Sequence, residues 1–395
     1  LSIKLSNRVN AIKPSPTLAV TARAKALRAA GRDIIGLGAG EPDFDTPDHI
    51  KQAAINAINE GFTKYTAVDG TTELKQAIIA KFQRDNALSY DQNQILVSVG
   101  GKQSFFNLTQ ALLNTGDEVI IPAPYWVSYP DIVLLAEGVP VIIQAGQEQN
   151  FKITPQQLAD SISDRTRLFV LNSPSNPTGV AYTAAELKAL AEVLLKHPQV
   201  LVATDDMYEH ILWREEPFSN VLTVCPELHD RCIVLNGVSK AYSMTGWRIG
   251  YAGGPAELIS AMKKIQSQST SNPTSIAQVA AQAALEGDQD CIGIMLKAFK
   301  ERHDFVHAAL NDMAGISCLP GQGTFYSFPS FHDAMNKANI TDDVIMAERL
   351  LEEAGVAVVP GSAFGAPGHM RLSFATSMDN LQQAMQRISD FLKTL

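Results

Sequence analysis

The sequence predicts an α/β fold: a large domain with a mostly parallel sheet sandwiched by helices, plus a smaller α+β domain. Two patterns carry this expectation. Between about Ser89 and Gly254, short β-rich runs alternate with helical segments, and the runs are continuously apolar, as strands covered on both faces are. From about Gln289 onward the pattern changes to a long helix, glycine-rich turns, short strand-like runs and a closing amphipathic helix. The length, 395 residues, exceeds what one core usually serves.

The expected strands of the large domain are Ile95–Val99, Glu118–Ile121, Val139–Gln144, Arg167–Asn172, Val200–Thr204, Cys232–Asn236 and Arg248–Ala252. Two helices between them have readable starts. Thr154, Pro155 and Gln157 supply an N-cap, a proline at the first helical position and a capping-box partner. Thr183 and Glu186 form a second box, after which Leu187, Leu190, Ala191 and Leu194 share one face. In the C-terminal part, Gly323–Ser327, Val356–Val359 and Met370–Phe374 read as short strands. Leu381, Ala384, Met385, Ile388 and Leu392 then line one face of the last helix. The expected division is an N-terminal arm at 1–14, a small domain of 15–46 and 289–395, and a large domain of 47–288. Ligands of parallel sheets bind at the carboxyl ends of the strands, so the chemistry belongs there.

Lys and Arg number 32 against 41 Asp and Glu, a net charge of −9. An acidic chain without a basic block is a poor match for nucleic acid or an anionic membrane, which leaves a small-molecule partner. No apolar run approaches the ~20 residues of a spanning helix, and Leu1–Pro16 lacks the apolar stretch of a signal peptide. Cys225, Cys232, Cys291 and Cys318 are sparse and irregularly spaced, which suits reduced thiols of a cytoplasmic enzyme. His303 and His307 lie four apart on an expected surface helix, but no Glu follows the first and no third ligand accompanies them. No metal site is expected.

Several motifs bear on chemistry. Gly36-Leu37-Gly38-Ala39-Gly40 lacks the third glycine of a dinucleotide fingerprint, because Glu41 and Pro42 follow; it reads as a sharp loop whose backbone approaches a ligand. Gly100-Gly101-Lys102 ends a strand and opens a helix whose free N–H groups suit a phosphate, although it is no Walker loop. Asn172 to Gly179 is a loop stiffened by Pro174 and Pro177 that presents Asn176. Asp205, at the end of a buried strand, needs a cationic partner or merely caps a helix. The strongest stretch runs from Asn236 to Gly250. Lys240 lies just past an apolar strand, where burial disfavours its charged form and leaves a nucleophilic amine, and Arg248 is a fixed cation suited to a phosphate.

Ser239-Lys240 with Gly246-Trp247-Arg248-Ile249-Gly250 resembles the lysine signature of class I aminotransferases, the pyridoxal-phosphate enzymes of fold-type I related to aspartate aminotransferase. Gly40-Glu41-Pro42-Asp43-Phe44, Lys64-Tyr65-Thr66, Pro124-Tyr125-Trp126, Asn176-Pro177-Thr178-Gly179, Asp205-x-x-Tyr208 and Met370-Arg371-Leu372-Ser373 match in order, over nearly the whole chain. The resemblance implies that Lys240 holds pyridoxal 5'-phosphate as a Schiff base and later serves as general base. It also implies that Asp205 keeps the ring nitrogen protonated and that Tyr208 and Asn176 donate to the phenolic oxygen. Trp126 would stack on the ring. Gly101, Lys102 and Arg248 would neutralise the phosphate. Tyr65 would reach the phosphate from a neighbouring subunit, so a homodimer with shared sites is implied. Arg371 would clamp the substrate α-carboxylate, helped by Asn176, Trp126 and the Gly40 backbone.

The implied reaction is ping-pong transamination, with L-aspartate and 2-oxoglutarate as the leading pair. Two positions depart from the family pattern. Gly237 replaces a hydroxyl residue that contacts the phosphate in many relatives, and Gln266–Pro273 holds no arginine for a distal carboxylate. The second departure resembles the bacterial-type subgroup, where the N-terminal segment shapes the pocket; Ser15 and Thr17 are the candidates. The same residues also serve aminotransferases for aromatic amino acids or prephenate, lyases of this fold and, remotely, a non-catalytic sensor of the cofactor or an amine.

Overall fold

A computed structural model describes residues 3–395; the first two residues of the expected arm lie outside the described residues. The strands in chain order are β1 (Ile35–Gly36), β2 (Ile95–Ser98), β3 (Glu118–Ala123), β4 (Val139–Gln144), β5 (Thr166–Asn172), β6 (Leu201–Asp205), β7 (Cys232–Gly237), β8 (Gly250–Gly253), β9 (Tyr326–Ser327), β10 (Val356–Ala357), β11 (Val359–Pro360) and β12 (Met370–Ser373). Seven of them form one sheet in the order β2-β8-β7-β6-β5-β3-β4. The β4-β3-β5-β6-β7 neighbours are parallel, while β8 runs antiparallel to both β7 and β2.

Both faces of this sheet are buried. Val97, Ile120, Phe169, Leu171, Val202 and Val234 face one apolar cluster, which includes residues of helices Thr72–Asn86, Ala184–Leu195 and Ser275–Glu286. Leu96, Val119, Ile121, Leu168, Val170, Ala203, Ile233 and Leu235 face the other, with helices Gly101–Leu112, Ser128–Leu135 and Ala256–Ser267. This alternation within continuously apolar strands is what two-sided burial requires. Both expected capping boxes are present, at Thr154/Gln157 and Thr183/Glu186.

The remaining strands belong to two small sheets, β1-β10 and β11-β12-β9. Ile35 and Leu37 pack into the same cluster as Phe299, Leu310, Phe331, Leu372 and Ile388, so an early segment shares a core with the C-terminal part. Three expectations need correction. Val356–Val359 is not one strand: it divides at Val358 into β10 and β11, which pair in different sheets. Only Tyr326 and Ser327 of Gly323–Ser327 form a strand, because Thr324 takes a left-handed conformation (φ +63°). The helix Asp290–Asn311 is not a simple surface helix, since His303 is buried and its Nε2 accepts from the Gly321 N–H at 2.9 Å.

Candidate active site

The loops following β5, β6 and β7, the start of helix Gly101–Leu112, the backbone at Gly38–Gly40 and strand β12 converge on one cleft. Lys240 stands three residues past β7, and its Nζ donates to the Gly40 carbonyl at 2.5 Å. Burial first, and then the Arg371 guanidinium, lower its pKa to about 8. A share of the free amine therefore exists near neutral pH, as a nucleophile needs.

Asp205 ends β6. Its Oδ2 accepts from the Tyr129 hydroxyl at 2.6 Å and its Oδ1 from the Met207 N–H at 3.3 Å. Burial pushes the carboxyl above its ordinary range, while these two donors and the Lys240 charge oppose that tendency. Tyr208 is buried, with its hydroxyl 3.1 Å from that of Tyr326. Burial and then Tyr326 raise its pKa, so it remains a hydrogen-bond donor.

Arg371 sits on β12 and is 2% exposed, a costly burial for a cation. Nη1 donates to Asn176 Oδ1 at 3.0 Å and Nη2 to the Gly38 carbonyl at 2.9 Å. Its guanidinium lies between the rings of Tyr326 (4.4 Å) and Phe364 (4.9 Å). Among the described residues Nε has no partner and no carboxylate pairs with the cation, which suits an external one.

At the other end, Gly100 (φ +83°) caps helix Gly101–Leu112 and opens its N–H groups. A Cβ at Gly100 would collide with the Arg248 guanidinium. Arg248 lies not in β8 but two residues before it, in a left-handed turn (φ +58°) that places Nη1 2.8 Å from the Thr245 carbonyl. Lys102 Nζ lies 5.1 Å from the Trp126 ring, and Trp126 meets Tyr129 edge-on at 5.2 Å. The structure thus brings Lys240, Asp205, Tyr208, Asn176, Arg371, Gly40, Gly101, Lys102, Arg248 and Trp126 to one region. Tyr65 is 92% exposed. Sequence reasoning missed Tyr129 and Tyr326; the only available signal was their nearness to Trp126 and to the short strand before β12.

A lysine amine, a carboxylate and an open helix start at one edge of the seven-stranded sheet, with a buried arginine on β12 beside them, suit an enzyme that works on amino acids through pyridoxal phosphate. The pattern of the family described as aminotransferase class I and II matches residues 32–388, and the chain belongs to that family. It is 63% identical to the aspartate/prephenate aminotransferase of Nitrosomonas europaea, over 99% of this chain and all of that one. It is 51% identical to the aspartate aminotransferase of Geobacillus stearothermophilus, over 99% of each. Among solved structures it resembles the aspartate aminotransferase of Rhizobium meliloti (TM-score 0.96, 48% identity, 99% of each chain). It is also similar to that of Thermus thermophilus with maleate (TM-score 0.93, 44% identity, 99% of this chain and 100% of that one).

Pyridoxal phosphate is the family's cofactor, and the residues present fit it. The amine at Lys240, the anion at Asp205 and the donors at Gly101 and Arg248 answer an aldehyde, a ring nitrogen and a phosphate respectively.

Proposed function

We propose that this protein transfers the amino group of L-aspartate to 2-oxoglutarate by a ping-pong mechanism, yielding oxaloacetate and L-glutamate. The single observation carrying this reading is Arg371: a fully buried guanidinium with an unpartnered Nε, facing the same cleft as Lys240. Bound pyridoxal phosphate supplies a carbonyl carbon that amines attack and a ring that accepts electron density from the substrate α-carbon. Lys240 Nζ would hold that carbon, and as a free amine it would take the substrate α-proton as general base, a task suited to an amine with pKa about 8. Arg371, with Asn176 beside it, holds the α-carboxylate in two parallel hydrogen bonds and so aims the Cα–H bond at Nζ. Asp205 would hold a proton on the ring nitrogen, Tyr208 and Asn176 would donate to the phenolic oxygen, and Trp126 would cover the ring. Gly101, Lys102 and Arg248 would hold the phosphate. Thr17 Oγ1, buried without a partner, and Ser15 are the donors we assign to the distal carboxylate.

Tyr65 acts in the partner subunit's site. A homodimer is supported by its exposure, by Ile55, Ile58 and Phe62, which form an exposed apolar run beside it, and by an open cleft of about 590 Å³ next to Trp247 and Arg248. The arm (1–14), the small domain (15–46 and 289–395) and the large domain (47–288) are moving parts, with Arg371 and Lys240 on opposite sides. Four unpaired cysteines support a cytoplasmic setting. The names of the relatives at 63% and 56% identity support prephenate as a further amino acceptor. Initial rates at several fixed 2-oxoglutarate concentrations test the scheme: double-reciprocal plots against aspartate should be parallel, and intersecting lines would refute it.

A further inference from the structure

Tyr129 is assigned no role above, yet it is 1% exposed and holds the shortest polar contact to Asp205. It begins the second position of helix Ser128–Leu135, with its ring edge-on to Phe105 at 4.9 Å and to Trp126 at 5.2 Å. These rings pack against the phenol ring on two sides. Its hydroxyl donates to Asp205 Oδ2 at 2.6 Å, the length of a charge-assisted bond. The Met207 N–H occupies one site on the other oxygen, so each carboxylate oxygen keeps lone-pair capacity toward the cleft.

We propose that Tyr129 is a positioning residue for Asp205: its caged hydroxyl sets the orientation of the carboxylate and maintains it as the anion facing the ring nitrogen of bound pyridoxal phosphate. The inference rests on the reading of Asp205 given above. Burial alone favours a neutral Asp205, which could not hold a proton on the ring, and a donated hydrogen bond opposes that tendency. Burial, and then the nearby Asp205, push the Tyr129 pKa well up, so the phenol stays protonated and is always a donor. A merely structural tyrosine needs some partner for its hydroxyl but has no effect on the charge in the cleft.

Tyr129→Phe keeps the ring packing and removes only the donor. Two measurements read it: the Kd of the apoenzyme for pyridoxal phosphate, and the nitrogen chemical shift of holoenzyme loaded with ring-¹⁵N cofactor. We expect Kd to weaken roughly tenfold, as for loss of a hydrogen bond to a charge, and the shift to move toward the unprotonated ring. The apoenzyme Tm should stay close to that of the parent. In an Asp205→Asn background the same substitution should change Kd by less than about threefold, because the anion it serves is gone. An unchanged shift and Kd in Y129F, or equal losses in both backgrounds, would overturn the proposal. An Asp205→Asn enzyme with parental Kd and shift would instead refute the underlying assignment of Asp205.

Discussion

Two clusters of charged side chains approach in the chain at Asp205 and Glu209 and differ in one respect. In the cleft, among the described residues, Arg371 Nε lacks a partner, the Lys240 amine has one carbonyl, and Asp205 is held by donors but faces no cation in direct contact. Beneath the sheet, Lys81 is fully buried and donates to Glu209 and to Asn86 Oδ1 at 2.8 Å. Glu209 also accepts from Asn86 and Asn236, each at 2.7 Å. Despite burial, the Lys81 ammonium and then His210 hold the Glu209 carboxyl below its ordinary range. Donor atoms of Asp85, Glu209 and His210 lie within 4.8 Å of one another, a spacing that suits a cation, and the cation at that place is Lys81. The number of charges does not distinguish the two clusters. Unmet polar capacity does: a satisfied network stabilises, and an unsatisfied one waits for a ligand.

That contrast can be broken at either end. The largest effect is expected for Lys240→Ala, which should lower aspartate turnover by several orders of magnitude while leaving the apoenzyme Tm equal or higher, since a desolvated amine is removed. Retained activity in steady-state assays would contradict its assignment. Arg371→Lys keeps the charge but loses the paired geometry, and kcat/KM for aspartate should fall about a hundredfold or more. Glu209→Gln should act the other way round. It strands the Lys81 ammonium and should destabilise the fold by ~3–5 kcal/mol in urea unfolding, with far less loss in kcat of the folded fraction; K81M combined with E209Q should recover part of that stability. The effect least tied to the cleft concerns Asp206, whose carboxyl is pushed up to about 8 by burial and then by Glu209. The folded state then binds the extra proton, so this group's stabilisation is complete below about 4 and is lost as pH rises toward about 8. Asp206→Asn should remove a downward slope of at most ~1.4 kcal/mol per pH unit from the apoenzyme's stability profile. An unaltered profile would show that Asp206 is ionised.

Much of this was legible in the chain. Apolar runs flanked by capping boxes located the parallel sheet, and the motifs after β5, β6 and β7 located Asn176, Asp205 and Lys240, because strand ends are local features. Long-range relations were not legible. Nothing near Gly250 signals that β8 runs antiparallel, and nothing near Arg248 announces its left-handed turn. No motif marks Tyr129 or Tyr326, since only the tertiary structure sets their hydroxyls against Asp205 and Tyr208. Nor does any motif mark Lys81 and Glu209 as a buried pair, because they meet across 128 residues of sequence.

The most direct test of the account is the absorbance spectrum of the purified holoenzyme before and after L-aspartate, and again after 2-oxoglutarate. We predict that aspartate abolishes the band of the lysine-bound cofactor and that 2-oxoglutarate restores it, which demonstrates both half-reactions in one sample. A band that saturating aspartate leaves untouched would contradict the assignment of Arg371 and Lys240 to this substrate.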